Sequence, residues 1–436
     1  MKKFGLVLAM LALVLAGCSN GTTAPVFDKE FNVSTIEAFD AVIEEIKNTP
    51  GEYLIKVNAD LLDHPGVQLQ TNGVNITVRG TGSNRITWNA ESTALFRIEA
   101  GKLTLENITL SCVTDKTQNN FLIRLRGGVL EVKKGVIISI KSGRESVGIH
   151  VQPSGGTLIM SGGIIENCDN GVILEGTDLS MTMSGGEIRN CNNSGIGTWG
   201  RTERGNITIN ITGGRISNNG TGIGIARSGT TVTFSGGTTE NCGIGISAAD
   251  STVSITGGKI DGRIGTNSTG NNFTISGGEI IGGIDLGSGN KLTMSGGKIS
   301  ADGIYIGNEN TVIFNGGTIE NCEHGIGVGG NGNSITVSRG TIRNITYHGI
   351  GLWDSSANCT VDITGGEITG GSMGVFLQGS NETVNISGGK VHGEEWFGVG
   401  VGNGSGHIVT KTGGTVTGGT GPYWVSDNAS AVVTGF

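Results

Sequence analysis

Four short stretches of this chain carry side chains suited to chemistry: Glu323-His324, Tyr347-His348, Trp353-Asp354 and Glu394-Glu395-Trp396. A histidine beside a carboxylate suits acid–base work, because imidazole exchanges a proton near neutral pH. Tryptophan and tyrosine beside acids suit sugars, whose rings offer apolar faces edged with hydroxyls. Only 5 Trp occur in 436 residues, so their grouping here is informative. Trp199 holds the equivalent place several repeats earlier. The plainer reading is that long turns cover themselves with aromatics and solvated charge. On either reading, what matters is whether the fold brings these stretches together.

A Ser/Thr-Gly-Gly step positions them. It recurs about a dozen times, from Ser161-Gly162-Gly163 through Ser235-Gly236-Gly237 to Thr412-Gly413-Gly414, at a mean spacing of about 23 residues. A fixed period of that size means one small unit stacked many times. Within a unit, Thr231-Val232-Thr233-Phe234-Ser235 alternates polar and apolar, as a half-buried strand does. Gly236-Gly237 turns the chain, Thr238-Thr239-Glu240-Asn241 is a second short strand, and Cys242-Gly243-Ile244-Gly245-Ile246 is a third. Three strands and three turns make one rung of a parallel β-helix. Helical solenoids are excluded by the missing helical period and by 81 Gly in 436 residues. Propeller blades need about 40 residues each. Collagen needs Gly at every third position. The long, irregular rung favours the right-handed form over the hexapeptide left-handed one.

Columns follow from stacking. Asn167, Asn190, Asn218, Asn241, Asn321 and Asn344 recur a few residues after the Gly pair, where their amides can hydrogen-bond from rung to rung. Lys259, Glu279 and Lys298 alternate in sign on consecutive rungs. Cys168, Cys191, Cys242 and Cys322 each follow a ladder Asn. They read as a column of small buried residues. The alternative is a Cys168–Cys191 disulfide between adjacent rungs, which suits an exported chain. No C-x-x-C occurs, and no metal or other cofactor is called for.

The ends differ from the repeats. Lys2-Lys3, then an apolar run from Leu6 to Leu15 too short to span a membrane, make residues 1–17 a signal peptide. Leu15-Ala16-Gly17-Cys18 resembles the lipobox of bacterial lipoproteins, which implies cleavage before Cys18 and acylation of that residue. The membrane, reached through that anchor, is therefore an expected partner. Ser19 rather than Asp follows, so an outer-membrane or cell-surface destination is favoured. Residues 18–32 read as the lipidated Cys and a flexible tether. Residues 33–50 read as an amphipathic capping helix, with Ser34 as N-cap, Glu37 completing a capping box, and Ile36, Phe39, Val42, Ile43 and Ile46 as its apolar stripe. Such a helix covers the open core and bare edge of a first rung. The β-helix proper is expected over 51–420, about 15 rungs, with 421–436 as a C-terminal cap. A formal net charge of −8 argues against nucleic acid as a partner.

The rung pattern, the capping helix, and stretches such as Asn75-Ile76-Thr77-Val78-Arg79-Gly80 and Leu103-Thr104-Leu105-Glu106-Asn107-Ile108 resemble the pectate-lyase-like superfamily of right-handed β-helices. Gly-Gly-Glu-Ile, at Gly185–Ile188, Gly277–Ile280 and Gly365–Ile368, is similar to the Gly-Gly-Ala-Ile repeat of chlamydial polymorphic outer-membrane proteins, although the companion Phe-x-x-Asn motif is not regular. The superfamily resemblance implies polysaccharide lyases, polygalacturonases or pectin esterases. Polygalacturonases carry Asn-Thr-Asp and Asp-Asp motifs, and neither occurs here; Tyr347-His348-Gly349-Ile350 is loosely similar to their Gly-His-Gly. Pectate lyases need an acidic Ca²⁺ cluster and an arginine base, whereas outward acids here are scattered. No full catalytic set is present.

The expectation is a lipid-anchored envelope protein, all-β, that binds glycans or host or matrix proteins without catalysis. Glu323, His324, Tyr347, His348, Trp353, Glu394, Glu395 and Trp396 are its candidate ligand-binding residues. The alternative is a polysaccharide lyase or hydrolase centred on Glu323, His324 and His348. A purely structural spacer also fits the repeats.

Overall fold

The structure, a computed structural model, describes residues 25–436 apart from 91, 113–120, 141–144, 153–154, 201–204 and 267. The leader, Cys18 and the tether as far as residue 24 lie outside the described residues. The chain winds into a parallel β-solenoid of about 16 turns. Two sheets run its length. The larger has 24 strands and the smaller 16, and in the smaller sheet each strand between the two end strands hydrogen-bonds to those of the turns before and after it.

Alternation creates the core. In Thr231–Glu240 the side chains of Val232 and Phe234 point in and are fully buried, while Thr231 and Thr233 point out. Register stacks like on like: Val232 sits between Ile209 and Val253, which is followed by Phe273, Leu292 and Val312. Each such aliphatic or aromatic side chain, fully buried, contributes about 1.5–3 kcal/mol. The result is one continuous core along the solenoid axis.

The Gly pair works differently from a strand-breaking turn. Thr231–Glu240 is a single bent strand that passes through Gly236-Gly237, so most turns contain two strands rather than three. The pairing slips at the bend, with Thr212 opposite Gly236. A Cβ on Gly236 would stand 2.3 Å from the Thr212 carbonyl oxygen, and Gly237 has φ +79°. Only glycine meets both demands without strain, and with it the ladder continues around the corner.

Helix α1 (Ile36–Ile46) buries Phe39, Val42, Ile43 and Ile46 against the first turn. Its N-cap is Thr35 rather than Ser34: the Thr35 hydroxyl accepts the Ala38 N–H at 3.2 Å. The helix thus starts one residue later than the capping-box spacing implied. Part of the segment expected as tether is instead regular structure: Lys29–Val33 is a strand in register with Gly51–Val57. At the other end the residues read as a cap form a further turn. Gly421–Val425 pairs with Phe397–Val401, and Ala429–Thr434 with Gly404–Lys411. The count of about 16 turns agrees with the expected fifteen or so.

The outer Asn column takes the left-handed backbone, with φ between +50° and +59° at Asn167, Asn190, Asn218, Asn241, Asn321 and Asn344. Asn241 donates to Asn218 Oδ1 at 3.2 Å and Asn344 to Asn321 Oδ1 at 3.3 Å. In the charged column Lys298 lies closer to Glu320 (2.9 Å) than to Glu279 (3.8 Å). Cys168 and Cys191 are free buried thiols. A hydrogen bond with the Cys191 thiol, and then burial, push the Cys168 thiol well above its usual range.

Candidate functional site

The candidate residues fall on the outer face of the small sheet, and register explains how. The outward positions of successive strands form one column: His150, Ile173, Gly197, Gly224, Ser247, Gly265, Asp285, Tyr305, Gly327, Gly351, Phe376, Gly400 and Trp424. Large rings and bare glycines alternate along it in blocks.

One block is a continuous stack of six rings. Trp353 folds back over Gly327, where an added Cβ would stand 2.5 Å from the indole, and stacks on Tyr305 at 5.6 Å. His324 touches three rings: Tyr347 at 5.4 Å, Trp353 edge-on at 5.5 Å and His348 at 5.4 Å. His348 in turn lies against Phe376 at 4.6 Å. Glu323, His324, Tyr347, His348 and Trp353 thus assemble as the spacing implied. Tyr305 and Phe376 belong with them and were not singled out, since one aromatic in an alternating strand carries no signal without the register.

Burial among rings sets the charge of this patch. It lowers the pKa of His324, against the opposing charge of Glu323. It lowers that of His348 to about 4, and His324 adds to the effect. The Nδ1 atoms of both are buried without a hydrogen-bond partner. Both imidazoles are therefore neutral at physiological pH, each free to donate or accept a hydrogen bond.

Glu394, Glu395 and Trp396 do not join this patch. In the small-sheet register His348 pairs with Met373 and Met373 with Phe397, so Trp396 lies two turns further along. There Trp396 lines a cavity of about 260 Å³ with Met373, Phe397, Thr420 and Trp424. Trp199 likewise belongs to a separate patch. It packs with Phe121, Val147 and Ile173 and meets His150 at 5.3 Å. His150 Nε2 bonds Glu175 Oε2 at 2.9 Å, yet burial outweighs that carboxylate and the pKa of His150 falls to about 4.

Between the two ring patches runs a trough that the sequence did not reveal. Its floor is the small-residue block Gly197, Gly224 and Ser247. One cavity of about 620 Å³ lies beside Trp199, with Ser194, Asn193 and Thr221 in its lining. A second, of about 910 Å³, shares Ile225, Ala226 and Ser247 with the first and adds Ser228, Asp250 and Thr269. Hydroxyls contribute to both linings, and polar surface outweighs apolar in the second. Among the described residues no group of three or more His, Cys, Asp or Glu side chains is placed to hold a metal ion.

Compared with protein families, with curated proteins and with solved structures, the chain matches none. The functional reading therefore rests on the site's geometry and on the sequence of the leader.

Proposed function

We propose that this chain is a lipid-anchored cell-envelope β-solenoid that binds glycan or protein ligands along the outer face of its small sheet, without catalysis. The outward column carries the reading: a trough floored by small residues runs between two patches of aromatic and neutral imidazole rings. Ring faces and hydroxyl-lined hollows suit polysaccharides. The Leu15-Ala16-Gly17-Cys18 leader supports anchoring at Cys18, with the outer membrane or cell surface favoured. A panel of acidic and neutral polysaccharides and matrix proteins, bound to the full chain with and without Ca²⁺, tests the binding reading. Absence of binding across the panel would overturn it. Shielding of the chain from protease added to intact cells would overturn surface exposure.

One observation favours an enzymatic alternative, a polysaccharide lyase or hydrolase. His324 and His348 are neutral, adjacent and partly open, as a pair of proton-transfer groups would be. New chain ends appearing in the same panel, and lost in His348→Ala, would establish it.

A further inference from the structure

The cavity at Trp396 has a chemistry of its own. It arises because Gly421, paired with Phe397, bears no side chain, while Met373 fills the space over Gly400, which pairs with Trp424. The rings around that gap form its walls. Phe397 and Trp424 lie nearly parallel, 18° between planes and 6.3 Å between centroids. Trp396 is 52% exposed and Trp424 37%. Met373 closes one side. Thr420 is the one polar side chain in the lining, and its hydroxyl already donates to the Glu395 carbonyl at 3.4 Å.

Two acidic residues lie next to this aromatic hollow in the chain, and the Glu395 backbone carbonyl bonds Thr420 of its lining. Glu394 and Glu395 immediately precede Trp396, and both are exposed. Neither forms a salt bridge with any described residue. The charge they present is therefore uncompensated, in a chain whose formal net charge is already −8.

An apolar aromatic hollow flanked in the chain by acidic residues fits a cation that is itself apolar. A quaternary ammonium spreads its charge over methyl groups, sheds water easily, and is attracted to the faces of tryptophan and phenylalanine. The neighbouring carboxylates add long-range attraction. A sugar would need several hydrogen-bonding groups, and this cavity offers one hydroxyl. We propose that the hollow formed by Met373, Trp396, Phe397 and Trp424 binds a quaternary ammonium headgroup of the choline type. The site is separate from the histidine patch and the trough, and does not depend on the glycan reading.

Titration of the full chain with choline chloride and with tetramethylammonium chloride, at constant ionic strength and followed by tryptophan fluorescence, tests this. The uncharged isostere 3,3-dimethylbutan-1-ol is the control. Both cations should bind saturably, and the isostere at least about tenfold more weakly. Trp424→Ala and Gly421→Leu should each weaken choline binding about tenfold or more. Gly421→Leu fills the hollow and keeps every ring; a Cβ there meets only Phe397 ring atoms, at 3.6 and 3.7 Å, so the fold is retained. Unchanged melting of that variant confirms that the loss is local. Glu394→Gln with Glu395→Gln should weaken binding a few-fold and flatten its dependence on salt. Equal binding of the isostere, no saturable signal with either cation, or binding indifferent to Gly421→Leu overturns the proposal. So does a neutral saccharide that binds the same hollow and is blocked by the same leucine.

Discussion

His407 Nδ1 lies 3.6 Å from Glu382 Oε2, on the next turn, and both side chains are completely buried. The pair ends an internal column that begins as a run of amides. Asn271, Asn290, Asn310 and Asn333 stand one above another, and Cys359, Glu382 and His407 continue the same position. Each of the last three amides of that run accepts the backbone N–H of the Asn one turn before it, at 2.8–3.0 Å. Glu382 and His407 have no such match. Glu382 Oε2 and both ring nitrogens of His407 are buried without hydrogen-bond partners. Burial pushes the Glu382 carboxyl up to about 7, against the hydrogen bonds of Ser356 and the Gly379 N–H, and holds His407 below its usual value.

Glu382 and His407 push the stability of the last turns in opposite directions with pH, and removing the carboxylate isolates the part due to Glu382. Its pKa is higher folded, about 7, than the ordinary 4.5, so the folded chain binds the proton more tightly. Its contribution is full below about 4.5 and is lost as pH rises through 7. Glu382→Gln, which cannot ionise, should melt higher than the parent at pH 8 and no higher at pH 5. Parallel melting curves for the two chains between those pH values would refute this account of the pair.

The two asparagine columns should respond unequally to mutation. Asn310→Ala strands the buried Asn290 N–H and the Gly287 carbonyl, which the Asn310 side chain now satisfies at 2.9 Å each. Each buried group left unpaired costs about 1–3 kcal/mol. A clear drop in the chemical-denaturation midpoint is expected. Asn241→Gly removes one exposed amide contact but suits a residue held at φ +50°, so it should leave the midpoint nearly unchanged. Equal effects would mean that backbone conformation, not the buried ladder, dominates.

Sequence alone made the solenoid legible because its signals are local and repeated. Alternation in Thr231-Val232-Thr233-Phe234, the Gly pair and the outward Asn each recur within one turn. The grouping of His324 with His348 was legible for the same reason, since their 24-residue separation equals one turn there. What escaped reading depends on register between turns of unequal length. Trp396 was placed with His348 although two strand pairings separate them. The trough was missed because it is made by absent side chains: Gly197 and Gly224 look like turn glycines until the pairing puts them on one face. The buried amides Asn271, Asn290, Asn310 and Asn333 precede their strands without a flanking motif, so nothing in the chain marked them as a column.

Gly327 should prove indispensable to the ring stack. An added Cβ would meet the Trp353 ring at 2.5 Å and Tyr305 at 3.0 Å. Gly327→Ala should therefore swing the indole off Tyr305 into solvent while the inward residues Ile326 and Val328 stay buried. The emission of Trp353 should shift to the red, with melting little altered. Trp353→Phe as background identifies the signal: if the shift persists without Trp353, the ring is not the one displaced.

His348 should titrate well below the ordinary range of imidazole, and His324 below its usual value. Burial holds His348 at about 4, and His324 is lowered by the same cause. Ring-proton NMR across pH 8 to 4 should show no inflection for His348 near 6.5, and any ligand binding governed by the charge of His348 should be flat over pH 6–8. The sign for stability follows. A depressed histidine pKa means the unfolded chain takes the proton first, so stability is full above 6.5 and is lost as pH falls towards 4. His348→Phe keeps a ring between His324 and Phe376 and removes the titration. It should melt closer to its neutral-pH value at pH 5 than the parent does. An ordinary His348 inflection near 6.5 would show the ring to be solvated rather than packed, and would remove the basis for treating this patch as a neutral binding surface.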